Sequence, residues 1–241
     1  GGAPLTVVYR RSGARHTATL TPTADENGHY KAGVWVRDSG AGIGTMSFVD
    51  PQRGTFAGLG HSISDADTGA DLTLLSGEIV PVTITGCIRG AAGSPGELRG
   101  EFAAAPAGTV LANDAAGVYG SYTGSCTAPA LPVANLQEVT PGEAELWTTV
   151  LGTTAQPYTI QVERVTMTGS DPNRNLLIRV TDKRLLDATG GVVQGMSGSP
   201  IVQNGRLAAV LTHVLVNDPS RGYAIFATTM LEKADAVASS K

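Results

Sequence analysis

The chain has no block of like charge, no long apolar run and no cluster of cysteines, and each absence removes a class of function. Its 17 basic and 21 acidic residues leave a net charge of −4 with both signs scattered. There is therefore no basic footprint for nucleic acid or for an anionic membrane surface, and neither is expected as a partner. No stretch approaches the roughly 18 apolar residues of a membrane span, and no charged-then-apolar leader opens the chain. Cys87 and Cys126 stand apart, without a CxxC or a Cys/His cluster. A metal site has no support and no cofactor is called for. The two thiols form one disulfide if the protein is exported, or stay free; spacing alone does not decide.

Charged residues are also scarce, at 16%, while glycine numbers 31 and proline 13 among 241 residues. Frequent turns leave little room for long amphipathic helices, and the composition reads as mostly β. Short alternating or wholly apolar runs recur between turn signals: LTVVYR, TATLTP, AGVWVRD, GTMSFVD, TFAGLGHSI and GEIVPVTITGCI in the first half. AELWTTVLG, YTIQVERV, NLLIRVTD, SPIVQNG, RLAAVLTHVLV and GYAIFA follow in the second. Many evenly spaced strands predict a sandwich or a pair of barrels. Only TTMLEKADAVASSK reads as a helix, capped by Thr228 or Thr229, with Met230, Leu231, Ala234 and Val237 at helical spacing. A turn-rich stretch over residues 103–133 separates the halves. The expected division is 26–133 and 134–241, each a small closed sheet. Ahead of them, residues 1–25 begin with Gly1-Gly2-Ala3, which reads as a tag scar or an engineered cut, so a leader or an upstream module could have been removed.

QGMSGSPIVQNG, residues 194–205, spends much backbone freedom around one serine. A serine hydroxyl is a weak nucleophile at neutral pH. It needs a base to take its proton and backbone N–H groups to hold the oxyanion formed on attack at a carbonyl. Gly195 can take the positive φ that turns N–H groups inward, and Gly198 removes a side chain from where a substrate carbonyl would lie. Ser197 is the candidate nucleophile, with the N–H groups of Gly195 and Ser197 as the oxyanion hole. The competing reading of GxSGxP is a plain β-turn between strands.

The chain offers four histidines as a base. His61 ends the apolar run of TFAGLGHSISDADTG, where its ring can project from a strand end into a cleft. His213, inside LAAVLTHVLV, has the setting of a hydrogen-bonded core residue, and His16 and His29 occupy polar turns. For the acid that orients the base, Asp182 closes NLLIRVTD fifteen residues before Ser197, so the chain can return to one cleft. Asp65, Asp67 and Asp71 are nearer His61 in sequence, but residues that close along a strand and turn usually point elsewhere. DADTGADL only loosely matches a calcium loop, because Ser76 stands where the bidentate glutamate belongs and Gly69 is off by one. GAAGSPGELRG, residues 90–100, lacks the Lys-Ser/Thr of a phosphate loop and reads as a surface hairpin or a loop shaping the cleft.

The stretches GVWVRDSGAGIGTMSFVDP, GLGHSISDADTG, GEIVPVTITGCIRGAAGSPGE and RVTDKRLLDATGGVVQGMSGSPIVQNGRLAAVLTHVLVNDPSRGYAIF together resemble the SpoIVB sporulation signalling peptidases, the S55 serine peptidases. GMSGSPIVQNG followed by THVLVNDPSRGY is the most specific part. The resemblance implies a chymotrypsin-like serine endopeptidase, all-β, with two β-barrels, a cleft between them and a C-terminal α-helix. His61 would come from the first barrel and Ser197 from the second. The family's acid falls on Asp182, nearer the serine than the chymotrypsin order places it. Thr212, His213 and Val214, with DPSRGY beyond, would line the substrate site. The resemblance also implies a PDZ domain ahead of the protease, with residues 5–23 as its last strands. It further implies export from the forespore into the space between the forespore and mother-cell membranes, self-cleavage near the N-terminus, and cleavage of a membrane-associated regulator of a pro-sigma-factor-processing protease. A protease fold that is latent, or has lost turnover and only binds, is the alternative.

Overall fold

The computed structural model describes residues 1–11, 13–34, 40–65, 67–169 and 171–239. Most of the expected strand AGVWVRD lies outside them. Contacts divide the chain into two units, Gly1–Ala41 and Gly42–Lys241. In the first, β1 (Leu5–Arg11) and β2 (Ala14–Leu20) form an antiparallel hairpin, and β3 (Thr23–Ala24) pairs with β4 (Tyr30–Lys31). His16 lies within β2, stacked on Tyr9 across the hairpin, and not in a turn as its polar setting suggests.

The second unit carries two β modules. In the earlier one, β5 (Met46–Asp50), β6 (Thr55–Gly58), β7 (Glu78–Ile79), β10 (Gly108–Asp114) and β11 (Gly117–Tyr122) form an open sheet in the order β5-β6-β11-β10-β7. β8 (Val82–Ile88) and β9 (Glu97–Phe102) form a separate two-stranded sheet. In the later module, β12 (Gly142–Thr148), β13 (Gln156–Val165), β14 (Leu176–Val180), β15 (Pro200–Gln203), β16 (Arg206–Val214) and β17 (Arg221–Phe226) close into an antiparallel barrel, β12-β13-β14-β17-β16-β15. The fold is therefore all-β and chymotrypsin-like, with a closed barrel beside a half-barrel.

The half-barrel departs from the closed sheet expected for residues 26–133. β7 is two residues long, and Pro81, which has no N–H to donate, separates it from β8. The β8–β9 hairpin then turns to the later module: Ile84 exchanges hydrogen bonds with Gly152, both at 2.8 Å, and Ile84 and Leu98 join the barrel core. That core holds Leu146, Ile160, Leu176, Ile178, Ile201 and Leu211, all fully buried. The open sheet has a small core of its own, Phe56, Val110 and Val118.

The C-terminal helix is present as α2 (Ala227–Ser239). Its Met230 and Ala234 are buried with Ala57 and Tyr119 of the open sheet and Val210 and Ile225 of the barrel. A second helix, α1 (Lys183–Thr189), was not expected, although its signals are local. Asp182 caps its N-terminus by accepting from the Arg184 N–H, and Gly190 ends it in the left-handed region at φ 78°. Among the described residues no helix is long and apolar enough to cross a membrane.

Candidate active site

Residues 194–199 form a tight turn entering β15, and its backbone donors can be followed one by one. The N–H of Gln194 donates to Gly96 O, Met196 to Val193 O, Gly198 to Leu211 O and Ser199 to Met196 O. The two left without an acceptor among the described residues are Gly195 and Ser197. These are the pair an oxyanion on a Ser197 adduct would need. Gly195 has φ +96° and Gly198 φ +98°, conformations that side chains rarely adopt.

Contrary to expectation, the space beside Gly198 is not room for a substrate carbonyl. A Cβ there would run into the Thr45 carbonyl and the Leu59 N–H, so the glycine admits the backbone of the open sheet. Thr45, just before β5, clamps the turn twice. Its N–H donates to Ser197 O at 2.8 Å, and its Oγ1 to Gly195 O at 3.1 Å. Fixing the carbonyls on either side of Met196 holds the intervening peptide planes, and with them the Ser197 N–H. Sequence reasoning missed Thr45, which is 150 residues from Gly195 and follows no motif.

The Ser197 hydroxyl donates to the Thr212 carbonyl at 2.7 Å. Beyond Thr212, the His213 ring packs against His61 at a tilt, with centroids 4.8 Å apart and planes at 34°. His61 follows β6 by three residues, and Gly60 lets that turn press onto β16, since a Cβ at Gly60 would meet Thr212 Cγ2 at 2.9 Å. The structure thus gathers Ser197, His61, Thr212 and His213 at the seam of the two modules. His61 Nδ1 lies 2.7 Å from the Ser62 carbonyl. A carbonyl only accepts, so Nδ1 is the donor, and in the neutral ring that leaves Nε2 the lone pair a base requires. Ser62 is anchored in turn, because its Oγ donates to Asp71 at 2.5 Å and Ser64 Oγ donates to the same oxygen at 2.9 Å. Asn113 ties the next residue down, accepting from the Ile63 N–H at 2.7 Å and donating to its carbonyl at 3.0 Å. Asp71 thus fixes the side chain of Ser62, the residue next to His61.

Asp182 is not brought to this site. Leu177 is level with Tyr223, and Tyr223 with His213, so Asp182 lies beyond the end of β14, five residues past the level of His213. Its oxygens accept from the Arg184 backbone N–H, Nε and Nη2 and from the Thr159 N–H. The bond from the Arg184 guanidinium, aided by the two backbone N–H bonds, holds this carboxyl down at about 2. The feature that singled it out, an Asp at the end of a strand, is the start of α1.

The other candidates fall as follows. Gly222 and Val192 narrow the space beside Val214, since a Cβ at Gly222 would meet His213 O at 3.0 Å and Val192 Cγ2 at 3.4 Å. In DPSRGY, Asp218 bonds Ser220, and Arg221 pairs with Glu163 and Asp218, so its charges serve one another. The string GAAGSPGELRG closes the β8–β9 hairpin and braces the nucleophile segment through Gly90 N–H to Thr189 O and Leu98 N–H to Gln194 O, both 2.8 Å. In DADTG, Asp65 Oδ1 accepts from the Thr68 N–H and hydroxyl, which makes it a turn. Cys87 and Cys126 are free thiols, Cys87 half-buried and Cys126 exposed.

Ser197, with N–H groups on itself and two residues before it that have no acceptor among the described residues, and His61, packed on the neighbour of Thr212, come from the two β modules to one seam. The chain belongs to the SpoIVB peptidase S55 family, whose profile matches residues 28–231. No curated protein matches it. Among solved structures it is similar to the active form of the Rv3671c protease from M. tuberculosis, at 16% identity and TM-score 0.41, over 84% of this chain and 93% of that one. The inactive form of the Rv3671c protease is similar at 15% identity and TM-score 0.39, over 59% and 72%. The HtrA-type protease AlgW with a decapeptide is similar at 13% identity and TM-score 0.41, over 81% and 62%.

Proposed function

We propose that the chain cleaves peptide bonds by acyl transfer with Ser197 as nucleophile and His61 as base. His61 Nε2 takes the Ser197 proton and the oxygen attacks the scissile carbonyl. The Gly195 and Ser197 N–H groups receive the oxyanion, and the imidazolium protonates the leaving amine; water then enters by the reverse route. The observation that carries this reading is the nucleophile turn, in which the two N–H groups left unpaired are those an adduct on Ser197 would use. Thr212, His213 and Val214 form the end of β16 beyond its pairing with β15, where a substrate main chain can be added. Ser197→Ala should lower kcat by on the order of 10⁴ to 10⁶ with the fold intact. A variant that still cleaves at the wild-type rate would overturn the assignment.

Family membership supports a narrower role: a sporulation signalling protease exported to the space between forespore and mother cell, which trims itself near the N-terminus and cleaves a membrane-associated regulator. Mass spectrometry of the wild-type protein should then show N-terminal shortening that Ser197→Ala abolishes. Equal shortening in both would refute self-cleavage. A second reading, a latent module, has one observation in its favour: the Ser197 hydroxyl is bonded to Thr212 O and not to His61. Labelling by a fluorophosphonate, lost in His61→Ala, marks an armed site, whereas wild-type protein that does not react marks an idle one.

A further inference from the structure

His61 Nδ1 is taken by the Ser62 carbonyl, and Asp182 is committed to α1. One side chain does lie on the ring. We propose that His213 is the positioning residue of His61, its imidazole plane holding the base at the angle from which Nε2 meets the Ser197 hydroxyl. This rests on the Ser197–His61 reading and goes beyond a place in the substrate site for His213.

Three observations carry it. The tilted ring pair, 4.8 Å between centroids, joins the turn after β6 to β16 next to the residue whose carbonyl receives the Ser197 hydroxyl at 2.7 Å. His213 therefore sets the ring's position relative to the nucleophile from the rigid side of the seam. Its Nδ1 is buried without a hydrogen-bond partner among the described residues. An unpaired buried nitrogen is unfavourable, and an apolar side chain would fill the space without it, which leaves the aromatic plane as what the site uses. Finally, burial, reinforced by the neighbouring His61, pushes the His213 pKa down to about 4, so at neutral pH the ring is uncharged. When His61 takes up the serine proton, its new charge lies over a neutral aromatic face and not beside a second cation.

The groups facing His213 are consistent with that. From the turn Pro172–Arg174 come Asp171 and Arg174, paired with each other at 3.1 Å, with the Arg174 guanidinium over the Tyr223 ring. Tyr223 is the partner of His213 on β17. The two charges oppose each other at His213, the arginine lowering and the aspartate raising its affinity for a proton.

The test compares His213→Leu, which fills the site without an aromatic plane, with His213→Phe, which restores the plane without nitrogens. His213→Leu should lower kcat by about tenfold or more with KM changed less than about twofold. The acid limb of its kcat/KM profile should move to lower pH by about half a unit. His213→Phe should recover most of both. A folded Leu variant with wild-type kcat, or Leu and Phe variants equally impaired, would overturn the proposal. In the unmodified protein, an NMR titration placing the His213 transition near neutral pH would overturn it as well. Fluorophosphonate labelling of the wild type, abolished in His61→Ala, is run alongside. If that control fails, the Ser197–His61 assignment falls and not the ring contact alone.

Discussion

The closed barrel and the half-barrel are built from similar strands, yet they differ in what holds them. In the barrel every strand has two partners, and wholly buried residues such as Leu146, Ile160, Ile178 and Leu211 form one core. In the half-barrel the outer strands β5 and β7 each have one partner among the described residues, the core is small, and Leu111 stays exposed. The nucleophile turn belongs to the first arrangement and the base to the second. A turn with flexible glycines at φ near +96° and +98° keeps one conformation only where its surroundings fix it. A base can come from a looser module provided that the rigid one supplies its stop, which is the role His213 and Thr212 play from β16. The seam is therefore the part of the fold on which catalysis depends, and Thr45 crosses it in the opposite direction, from the open sheet to the turn.

That contrast can be broken most forcefully in the cores. Leu146→Ala in the barrel should destabilise by about 3–5 kcal/mol, against about 1–2 kcal/mol for Val110→Ala in the open sheet. Urea unfolding curves of the two variants measure the difference, and equal losses would mean that the modules do not differ in rigidity. Next in size is the clamp. Thr45→Val keeps the main-chain bond to Ser197 O and removes the hydroxyl bond to Gly195 O. It should lower kcat by about 10- to 100-fold, slow fluorophosphonate labelling in parallel and leave KM nearly unchanged, while Thr45→Ser keeps most of the activity. A Val variant that loses affinity and retains turnover would move Thr45 from the oxyanion hole to substrate binding.

The smallest effect sharpens the comparison at the far end of β14. Asp182→Ala should reduce stability by about 1–2 kcal/mol through the lost cap, with kcat within about twofold of wild type. The carboxyl is held at about 2, below its ordinary 3.8. Its contribution is therefore complete above pH 4 and disappears as pH falls from 3.8 towards 2, and the gap between wild type and variant should close over that window. A large loss of kcat without a loss of stability would return Asp182 to the catalytic group.

The barrel strands were legible because their apolar runs are continuous, and α2 because Met230, Ala234 and Val237 share one helical face. The serine turn was legible for a local reason also: two glycines bracketing a serine before a proline limit what the backbone can do. What misled was local information with two meanings. Asp182 before Lys-Arg-Leu-Leu looks like an acid at a strand end and is a helix cap. Gly198 looks like space for substrate and is space for Thr45 and Leu59. His213 looks like core filling in an apolar strand and lies against the base.

Residue order alone determined that this chain makes short strands, a serine turn between glycines and a terminal helix, since φ preferences, hydrophobic period and capping act within a few residues. Which imidazole meets which, which N–H groups stay unpaired, and that the β8–β9 hairpin joins the barrel and leaves the earlier sheet open were decided only in three dimensions. Those outcomes depend on contacts between residues as far apart as Thr45 and Gly195, 150 positions, where the packing of two modules, and no local preference, selects the neighbour.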